Sequence, residues 1–273
     1  MATATAERGS GNERGMLHGR FCDDFDRRPQ RKGKNMEKRA FIKGVLAIGL
    51  MYPMKNALPG NFIPASTEKY NVVAFIGGAG LNTARSFYEL PDVRALYDAA
   101  NIKTLIIGNW EYKCGMNRYP LPPADDQCFL SESFACNRYA PFEQRLAQAK
   151  SEIAGLRETM RDKYRSLTVV AGIGAQTGTF AGGAITEMAH EENIPTCRIL
   201  ITPFAFEGGR NLLADELIAK TSRKNTADII LRNEDLLAEL GGDATLPEAF
   251  HYQARRAAKA LLNNPYFHAD RHA

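Results

Sequence analysis

The sequence has few of the features that mark a metal, disulfide, membrane-spanning or nucleic-acid-binding protein. Its five cysteines are scattered without a Cys-x-x-Cys pair, and no histidine lies at zinc-ligand spacing from a cysteine, so we expect free thiols. No apolar run is long enough to span a bilayer. The formal net charge is only +4, with much of the excess in the first 55 residues, which excludes a broadly basic nucleic-acid binder.

The chain of 273 residues is long enough to bury one sizeable core, preceded by a less regular N-terminal part. Residues 1–35 are rich in Gly, Arg and Asp with almost no aliphatic side chains, which predicts disorder. Residues 36–69 form a basic and apolar segment, within which lysines bracket a short apolar stretch at 38–55. Three interpretations of that stretch stay open: a weakened twin-arginine export signal, a helix at a membrane surface, and a helix packed on the domain. We predict one domain over 70–264 and a tail over 265–273.

Apolar runs typical of buried strands alternate with helical patterns from residue 70 onward. The predicted strands are residues 70–76, 103–107, 167–171, 198–201 and 227–231. Helices are predicted over 82–89 and, from apolar residues at helical spacing, over 142–164, whereas 119–139 is predicted to be a long loop. Strands that alternate with helices predict a mostly parallel sheet covered by helices on both faces, which is a three-layer α/β domain.

Two glycine-rich turns follow predicted strands, at residues 77–80 and 172–179. Ligands in open α/β sheets lie beyond the carboxyl ends of strands, and glycine lets the backbone approach an anion closely. Neither turn carries the lysine of a Walker A loop, and Thr83 and Thr177 stand where the dinucleotide fingerprint has its third glycine. A nicotinamide- or flavin-binding protein is therefore a disfavoured alternative. Either turn alone is weak evidence for a phosphate site.

Five short motifs follow one another along the chain: GGAGLN at 77–82, GAQTGTF at 174–180, TPFAFEG at 202–208, NEDLL at 233–237 and LPEAF at 246–250. In composition and order they resemble the nucleotide-binding domain of the bacterial cell-division protein FtsZ, a member of the tubulin superfamily. The resemblance extends over about residues 70–262. It implies a Rossmann-like, three-layer tubulin/FtsZ GTPase domain with a mostly parallel sheet.

The resemblance also implies a site for GTP or GDP, with Mg²⁺ held through the phosphates. The implied nucleotide-binding residues are Gly77, Gly78, Gly80, Asn82, Glu111, Gly174, Ala175, Gln176, Thr177, Gly178, Thr179, Glu207, Arg210, Asn233 and Phe250. The two threonines would donate to phosphate oxygens, Glu207 would hold the ribose, Asn233 would recognise guanine and Phe250 would pack on the base. Glu111 and Arg210 stand in for family residues of different type or position. The resemblance implies no catalytic residue and no direct metal ligand in this set.

Several positions depart from the family pattern. Ala79, Ala175 and Gln176 replace glycines of the phosphate loops, where each side chain would narrow the site and a positive φ would be strained. Phe180 replaces the closing glycine of the second loop. Ala254 replaces the aspartate that accepts from guanine N1–H and N2–H₂, so the choice of base is left open.

Two hypotheses of function follow from the resemblance. The first is a cytoplasmic, FtsZ-like protein that binds a guanine nucleotide, self-associates or pairs with an FtsZ-like partner, and contacts the inner face of the membrane through 38–55. The family's C-terminal domain, whose acidic loop completes the next subunit's site, has no counterpart in the sequence, so we expect slow hydrolysis at most. The second is a nucleotide-free scaffold that binds a protein partner, favoured by the bulk of Gln176 and Phe180.

Overall fold

A computed structural model describes residues 68–114, 120–221, 226–241 and 244–267. The N-terminal predictions for 1–35 and for the stretch 38–55 lie outside the described residues, as do nearly all of the segment 36–69 and most of the tail 265–273. A search of the described helices finds none with the length and apolarity needed to cross a membrane.

The strands of the described residues form one sheet in which every neighbouring pair is parallel. They are β1 (Tyr70–Ile76), β2 (Ile102–Gly108), β3 (Asp126–Phe129), β4 (Tyr164–Gly172), β5 (Thr196–Thr202) and β6 (Thr226–Arg232). Their order is β3-β2-β1-β4-β5-β6, the Rossmann order, in which the winding reverses between β1 and β4. Ile76 pairs with Ile107 on one side and Ala171 on the other, so the carboxyl ends of three strands meet at one edge.

Helices connect the strands and cover both faces of the sheet. They are α1 (Gly77–Glu89), α2 (Pro91–Ala99), α3 (Trp110–Lys113), α4 (Glu132–Cys136), α5 (Phe142–Glu152), α6 (Leu156–Lys163), α7 (Gln176–Glu191), α8 (Gly209–Thr221), α9 (Glu234–Leu240) and α10 (Leu246–Ala260). Pro91 begins α2 in the first turn, where its missing N–H costs no hydrogen bond. Thr245 and Glu248 form a capping box that fixes the start of α10.

Alternate side chains of each central strand point to opposite faces of the sheet, and both faces are buried. From β1, Val72, Ala74 and Ile76 pack in a core cluster with side chains of α5, α7 and α8. Val73 and Phe75 pack on the other face with side chains of α1, α2 and α10. The three-layer α/β prediction is therefore confirmed, and the sheet is parallel throughout its described part.

Three parts of the predicted element pattern differ from the structure. The predicted loop 119–139 contains β3 and α4, because a four-residue edge strand with two exposed polar residues carries almost no apolar pattern. The predicted helix 142–164 is broken near Gly155, a residue of poor helix propensity, and Tyr164 already begins β4. Helix α1 begins at Gly77, so the first glycine turn is also its first helical turn.

The cysteines of the described chain are free thiols, as the sequence predicts: Cys114, Cys128, Cys136 and Cys197. Burial raises the pKa of Cys197 to about 12, with a further contribution from the charge of Asp228. This thiol therefore stays protonated and unreactive at neutral pH.

Gly80 tests how closely α1 approaches the sheet. A Cβ at this position would lie 2.7 Å from the carbonyl oxygen of Val170 and 2.9 Å from the carbonyl carbon of Phe75. Because both are backbone atoms of strands, we expect Gly80→Ala to lower the free energy of unfolding by about 2 kcal/mol, measured by urea titration followed by circular dichroism. Gly78→Ala is the matched control, since its Cβ position has no described atom within 4 Å apart from its chain neighbours and the backbone of its own helix. Equal stability of the two variants would contradict the close packing.

Candidate functional site

A cavity of about 340 Å³ opens at the carboxyl edge of the sheet, where the winding reverses. Most of the residues implied by the sequence line it: Gly78, Asn82, Ala175, Gln176, Thr177, Gly178, Glu207, Arg210, Asn233 and Phe250. The others lie outside the lining: Gly77, Gly80, Glu111, Gly174 and Thr179. A cavity of this size falls at the lower end of the range for small-molecule sites.

The first glycine turn joins β1 to α1 at the floor of the cavity. Gly77 has φ +66°, a conformation that favours glycine, and its Cβ position lies 3.1 Å from the backbone nitrogen of Gly178. The two glycine turns therefore touch at this point. Gly78 faces open space in the cavity. Helix α1 begins here without a side-chain cap or an acidic residue in its first turn, so its N–H groups and positive dipole end are available to an anion.

The second glycine turn joins β4 to α7, and one of its two threonines holds the turn together. Gly174 has φ +92°, and its N–H donates to Oγ1 of the fully buried Thr179 at 2.8 Å. A Cβ at Gly174 would lie 2.7 Å from the carbonyl oxygen of Arg210, so the turn also packs against the start of α8. Thr177, in contrast, lines the cavity. Thr179 therefore stabilises the turn itself, whereas Thr177 borders the cavity.

The residues that replace loop glycines fit without backbone strain. In the described chain, no site residue other than glycine has a positive φ, and Ala175 is extended with φ −109°. The methyl group of Ala79 lies over Gly172, where a second Cβ would be only 2.6 Å away, so glycine at the end of β4 makes room for the alanine. The side chain of Gln176 lines the cavity, and its Nε2 donates to the carbonyl oxygen of Phe134.

Phe180 does not fill the cavity. Its side chain is fully buried in the core, with its ring centroid 5.1 Å from that of Phe142 and the guanidinium of Arg145 4.1 Å from its centroid. Its bulk therefore lies away from the site, and of the two large replacements in the second turn only Gln176 borders the cavity.

The loop after β5 holds a carboxylate at one wall of the cavity. Glu207 ends a short 3-10 turn, and its Oε1 accepts the N–H of Phe204 at 2.9 Å. Its Oε2 lies 2.5 Å from the guanidinium of Arg210, whose side chain is 59% exposed. Asn211 Nδ2 donates to the carbonyl oxygen of Phe204 at 2.9 Å, which fixes the loop further. Because the arginine side chain is largely exposed, the ion pair between Glu207 and Arg210 contributes little to stability.

Amide side chains line two other walls of the cavity. Asn109 follows β2; its Nδ2 donates to Glu111 at 3.2 Å, while its buried Oδ1 has no partner among the described residues. Glu111 is exposed and does not line the cavity itself, but it accepts the hydrogen bond from the lining residue Asn109. Asn233 follows β6, and Gln253 lies on α10; both are more than nine-tenths buried. Sequence reasoning missed Gln253, for which the signal is a polar residue on the buried face of an amphipathic helix.

The aromatic side chain of Phe250 lines the cavity together with Gln253. The ring of Phe250 is 44% exposed and lies 6.4 Å from that of Phe204, which stacks on Phe206 at 5.1 Å. Ala254 lines the cavity next to it and supplies no polar side-chain atom. No cluster of three or more His, Cys, Asp or Glu side chains suited to a metal ion occurs among the described residues. The site thus combines two helix N-termini, one carboxylate with its arginine partner, five amide side chains and two phenylalanine rings.

A parallel sheet of this order with a cleft at its switch point defines a Rossmann-like α/β domain. No family model matches the sequence. The cell division protein FtsZ of Pseudomonas putida is 40% identical over 83 residues, which are 30% of this chain and 21% of that protein. FtsZ of Porphyromonas gingivalis is 28% identical over 180 residues, 64% of this chain and 36% of that protein.

Solved structures of the same class share the fold. An FtsZ dimer of M. jannaschii, described as empty, matches with a TM-score of 0.55 at 21% identity, covering 72% of this chain and 54% of that one. CetZ from Methanosaeta thermophila matches with a TM-score of 0.52 at 14% identity, covering 71% and 53%. The described part of this chain therefore has the fold of FtsZ and CetZ, and its sequence is similar to that of FtsZ over part of its length. The chain spans between 21% and 36% of the length of the two curated relatives.

The two threonines of the second turn should respond differently to loss of the hydroxyl. Thr179→Val leaves the buried N–H of Gly174 without its acceptor, so we expect the free energy of unfolding to fall by about 1–3 kcal/mol. Thr177→Val changes a group that faces the cavity, and we expect a change of at most about 0.5 kcal/mol. Urea unfolding of both variants without ligand measures the difference. A Thr179→Val variant as stable as the unaltered protein would show that its hydroxyl does not hold the turn.

Proposed function

We propose that this domain binds GTP or GDP in the cavity, as a nucleotide-dependent scaffold of the cell-division type. The observation that carries the proposal is the convergence of the two glycine turns, which touch at Gly77 and Gly178, with Glu207, Asn233 and Phe250 around one cavity. Either turn alone would be weak support. Together they supply a phosphate end, a ribose carboxylate and a base end in one space.

The phosphates would lie over the N-termini of α1 and α7. Both helices begin at the cavity without a side-chain cap and without an acidic residue in the first turn, so their free N–H groups favour an anion without a lysine. Mg²⁺ would neutralise the phosphate charge, and the Thr177 hydroxyl, which lines this end, would offer it a neutral oxygen, whereas the Oδ1 of Asn82 already accepts from Arg85 at 2.8 Å.

The sugar and base would extend from the phosphates toward α10. Glu207 would accept a ribose hydroxyl through Oε2, since its other oxygen is engaged by the backbone of Phe204. Phe250 offers a half-exposed ring face on which a base can pack. Asn233 offers an unpartnered Oδ1 among the described residues at the same end.

Self-association is the second part of the proposal. Large apolar side chains are exposed on elements around the cavity: Phe206, Leu212, Leu246 and Phe250. Apolar groups exposed beside a ligand site are suited to an interface whose strength depends on the bound nucleotide. We propose a cytoplasmic role in assembly with a second copy or an FtsZ-like partner. Contact with the membrane through 38–55 stays a prediction that lies outside the described residues, and no nucleic acid is proposed.

Nucleotide binding can be tested by placing a charge at the phosphate end. Gly78 faces open space, so a longer side chain fits there without disturbing α1. We expect Gly78→Glu to bind a fluorescent GTP analogue at least about 10-fold more weakly than Gly78→Gln, because only the carboxylate repels the phosphates. The full-length chain is titrated with Mg²⁺ present.

Competition identifies the ligand in the same assay. We expect GTP and GDP to displace the analogue and NAD to fail, since the turns lack the dinucleotide fingerprint. Absence of saturable binding at millimolar nucleotide would overturn the proposal. That result would favour the nucleotide-free scaffold, for which the hydrogen bond of Gln176 to Phe134 across the cavity wall is the supporting observation. Equal affinity of the Gly78→Glu and Gly78→Gln variants for the analogue would show that the phosphates do not bind near Gly78.

Hydrolysis by this chain should be slow. Glu207 is the single carboxylate among the described lining residues, and it is engaged by Phe204 and Arg210. No acidic group is thereby left to orient an attacking water, so we expect single-turnover GTP hydrolysis on the order of 10⁻⁴ s⁻¹ or slower. Phosphate release measured at saturating protein checks this. A rate on the order of 10⁻² s⁻¹ would contradict this expectation, because it would require an unengaged acidic group that the described cavity lining does not contain.

A further inference from the structure

Gln253 carries an unsatisfied amide at the base end of the cavity. It lies on α10, is 2% exposed and lines the cavity, yet neither its Oε1 nor its Nε2 has a hydrogen-bond partner among the described residues. Asn233 faces the same cavity with 6% exposure, and its Oδ1 is also without a partner there. Two buried amide side chains that have polar atoms without a hydrogen-bond partner in the described chain thus line the same cavity, together with Phe250 and Ala254.

Such groups are rare because they are unfavourable. Most buried side-chain polar atoms have a partner, and burying an amide without one destabilises the fold. The neighbouring buried positions of α10, Ala249, Ala254 and Ala257, are all alanine, so this face of the helix otherwise packs with apolar side chains. A ligand that both donates and accepts would satisfy the amide, which itself has two donor hydrogens and an accepting oxygen.

The side chains that line the base end of the cavity are uncharged. The carboxylate nearest in the lining is Glu207, which the loop after β5 holds in its own hydrogen bonds, and Ala254 supplies none. A carboxylate accepts only, and therefore selects guanine, whose N1–H and N2–H₂ both donate. An amide presents either its oxygen or its nitrogen after a half-turn about its last torsion. It can therefore pair with guanine or with adenine, which offers an N1 acceptor and an N6–H₂ donor.

We propose that Gln253 recognises the nucleobase edge together with Asn233, and that these two neutral amides let the site accept adenine as well as guanine nucleotides. The inference rests on the proposed nucleotide site and assigns the base contact to a specific residue of α10. Selectivity for purine bases would come from stacking on the Phe250 ring and from the two amides Asn233 and Gln253, which suit adenine and guanine alike.

The full-length chain tests this by competition of GTP, ATP and tripolyphosphate against a fluorescent GTP analogue. We expect GTP and ATP affinities within about 10-fold of each other. Gln253→Met keeps the length of the side chain and removes its polar atoms, so both nucleotides should bind about 10-fold more weakly while tripolyphosphate is unaffected. Gln127→Met is the matched control, because Gln127 is exposed on β3 and lies outside the cavity lining.

Thermal unfolding without ligand separates recognition from a structural role. Removing an unsatisfied amide should raise the melting temperature of Gln253→Met by roughly 2–6 °C, whereas loss of a structural hydrogen bond would lower it. Gln253→Glu keeps the shape and leaves an acceptor only. At about pH 8 it should shift the GTP to ATP preference toward GTP by about 10-fold or more.

The outcomes distinguish failure of this inference from failure of the proposed function. Nucleotide binding with a GTP to ATP ratio that neither Gln253 variant alters would overturn the inference alone. A guanine preference above about 1,000-fold in the unaltered protein would overturn it as well. If neither nucleotide nor tripolyphosphate displaces the analogue, the proposed function fails and the inference fails with it. Weaker nucleotide binding with a higher melting temperature in Gln253→Met supports the inference.

Discussion

The structure depends on the close approach of two helix N-termini at the point where the sheet reverses its winding. Gly77 and Gly178 bring the first turns of α1 and α7 into contact, and any side chain on Gly178 would overlap the carbonyl oxygen of Gly172 at the end of β4. Gly80 lets α1 lie directly on the backbone of β1 and β4. Because these contacts are between backbones, side-chain adjustment cannot relieve them. The glycines are therefore required by packing before any ligand is considered, and the cavity is a consequence of that packing.

This constraint explains why the glycine replacements are tolerated where they are. Ala79 sits in α1 with helical geometry, and the room for its methyl group comes from Gly172. Ala175 is extended and Gln176 is helical, whereas the positive φ of the second turn falls on Gly174. A loop can lose glycines at positions with ordinary φ and keep its path, provided that the position with positive φ keeps its glycine. Counting glycines in a motif therefore says less about phosphate binding than knowing which one has a positive φ.

The sequence predicted the sheet and most of the cavity because both leave strong patterns. Buried strands such as β1 are continuous apolar runs, and glycine turns after strands fall at a known edge of a parallel sheet. Edge strand β3 was missed because half-exposed polar residues carry no such pattern. Side-chain direction could not be predicted either: Phe180 points into the core and Thr179 into its own turn, although both belong to the GAQTGTF motif at 174–180. Motif position fixes a residue's place along the chain, whereas helical phase fixes which way it faces.

At the base end of the cavity, the free energy of folding also separates a residue that packing explains from one that it does not. Gln253 lies one turn after Phe250 on α10 and is buried with its amide unsatisfied in the described chain, while its neighbours on that face are alanines. A packing role would favour an apolar side chain there, so the amide lowers stability without a ligand. Residues that lower the stability of a fold in this way are concentrated at functional sites, where a bound partner offsets the cost. The unsatisfied amide is therefore a stronger indication of a working site than the glycine turns, because packing alone accounts for the glycines and does not account for the amide.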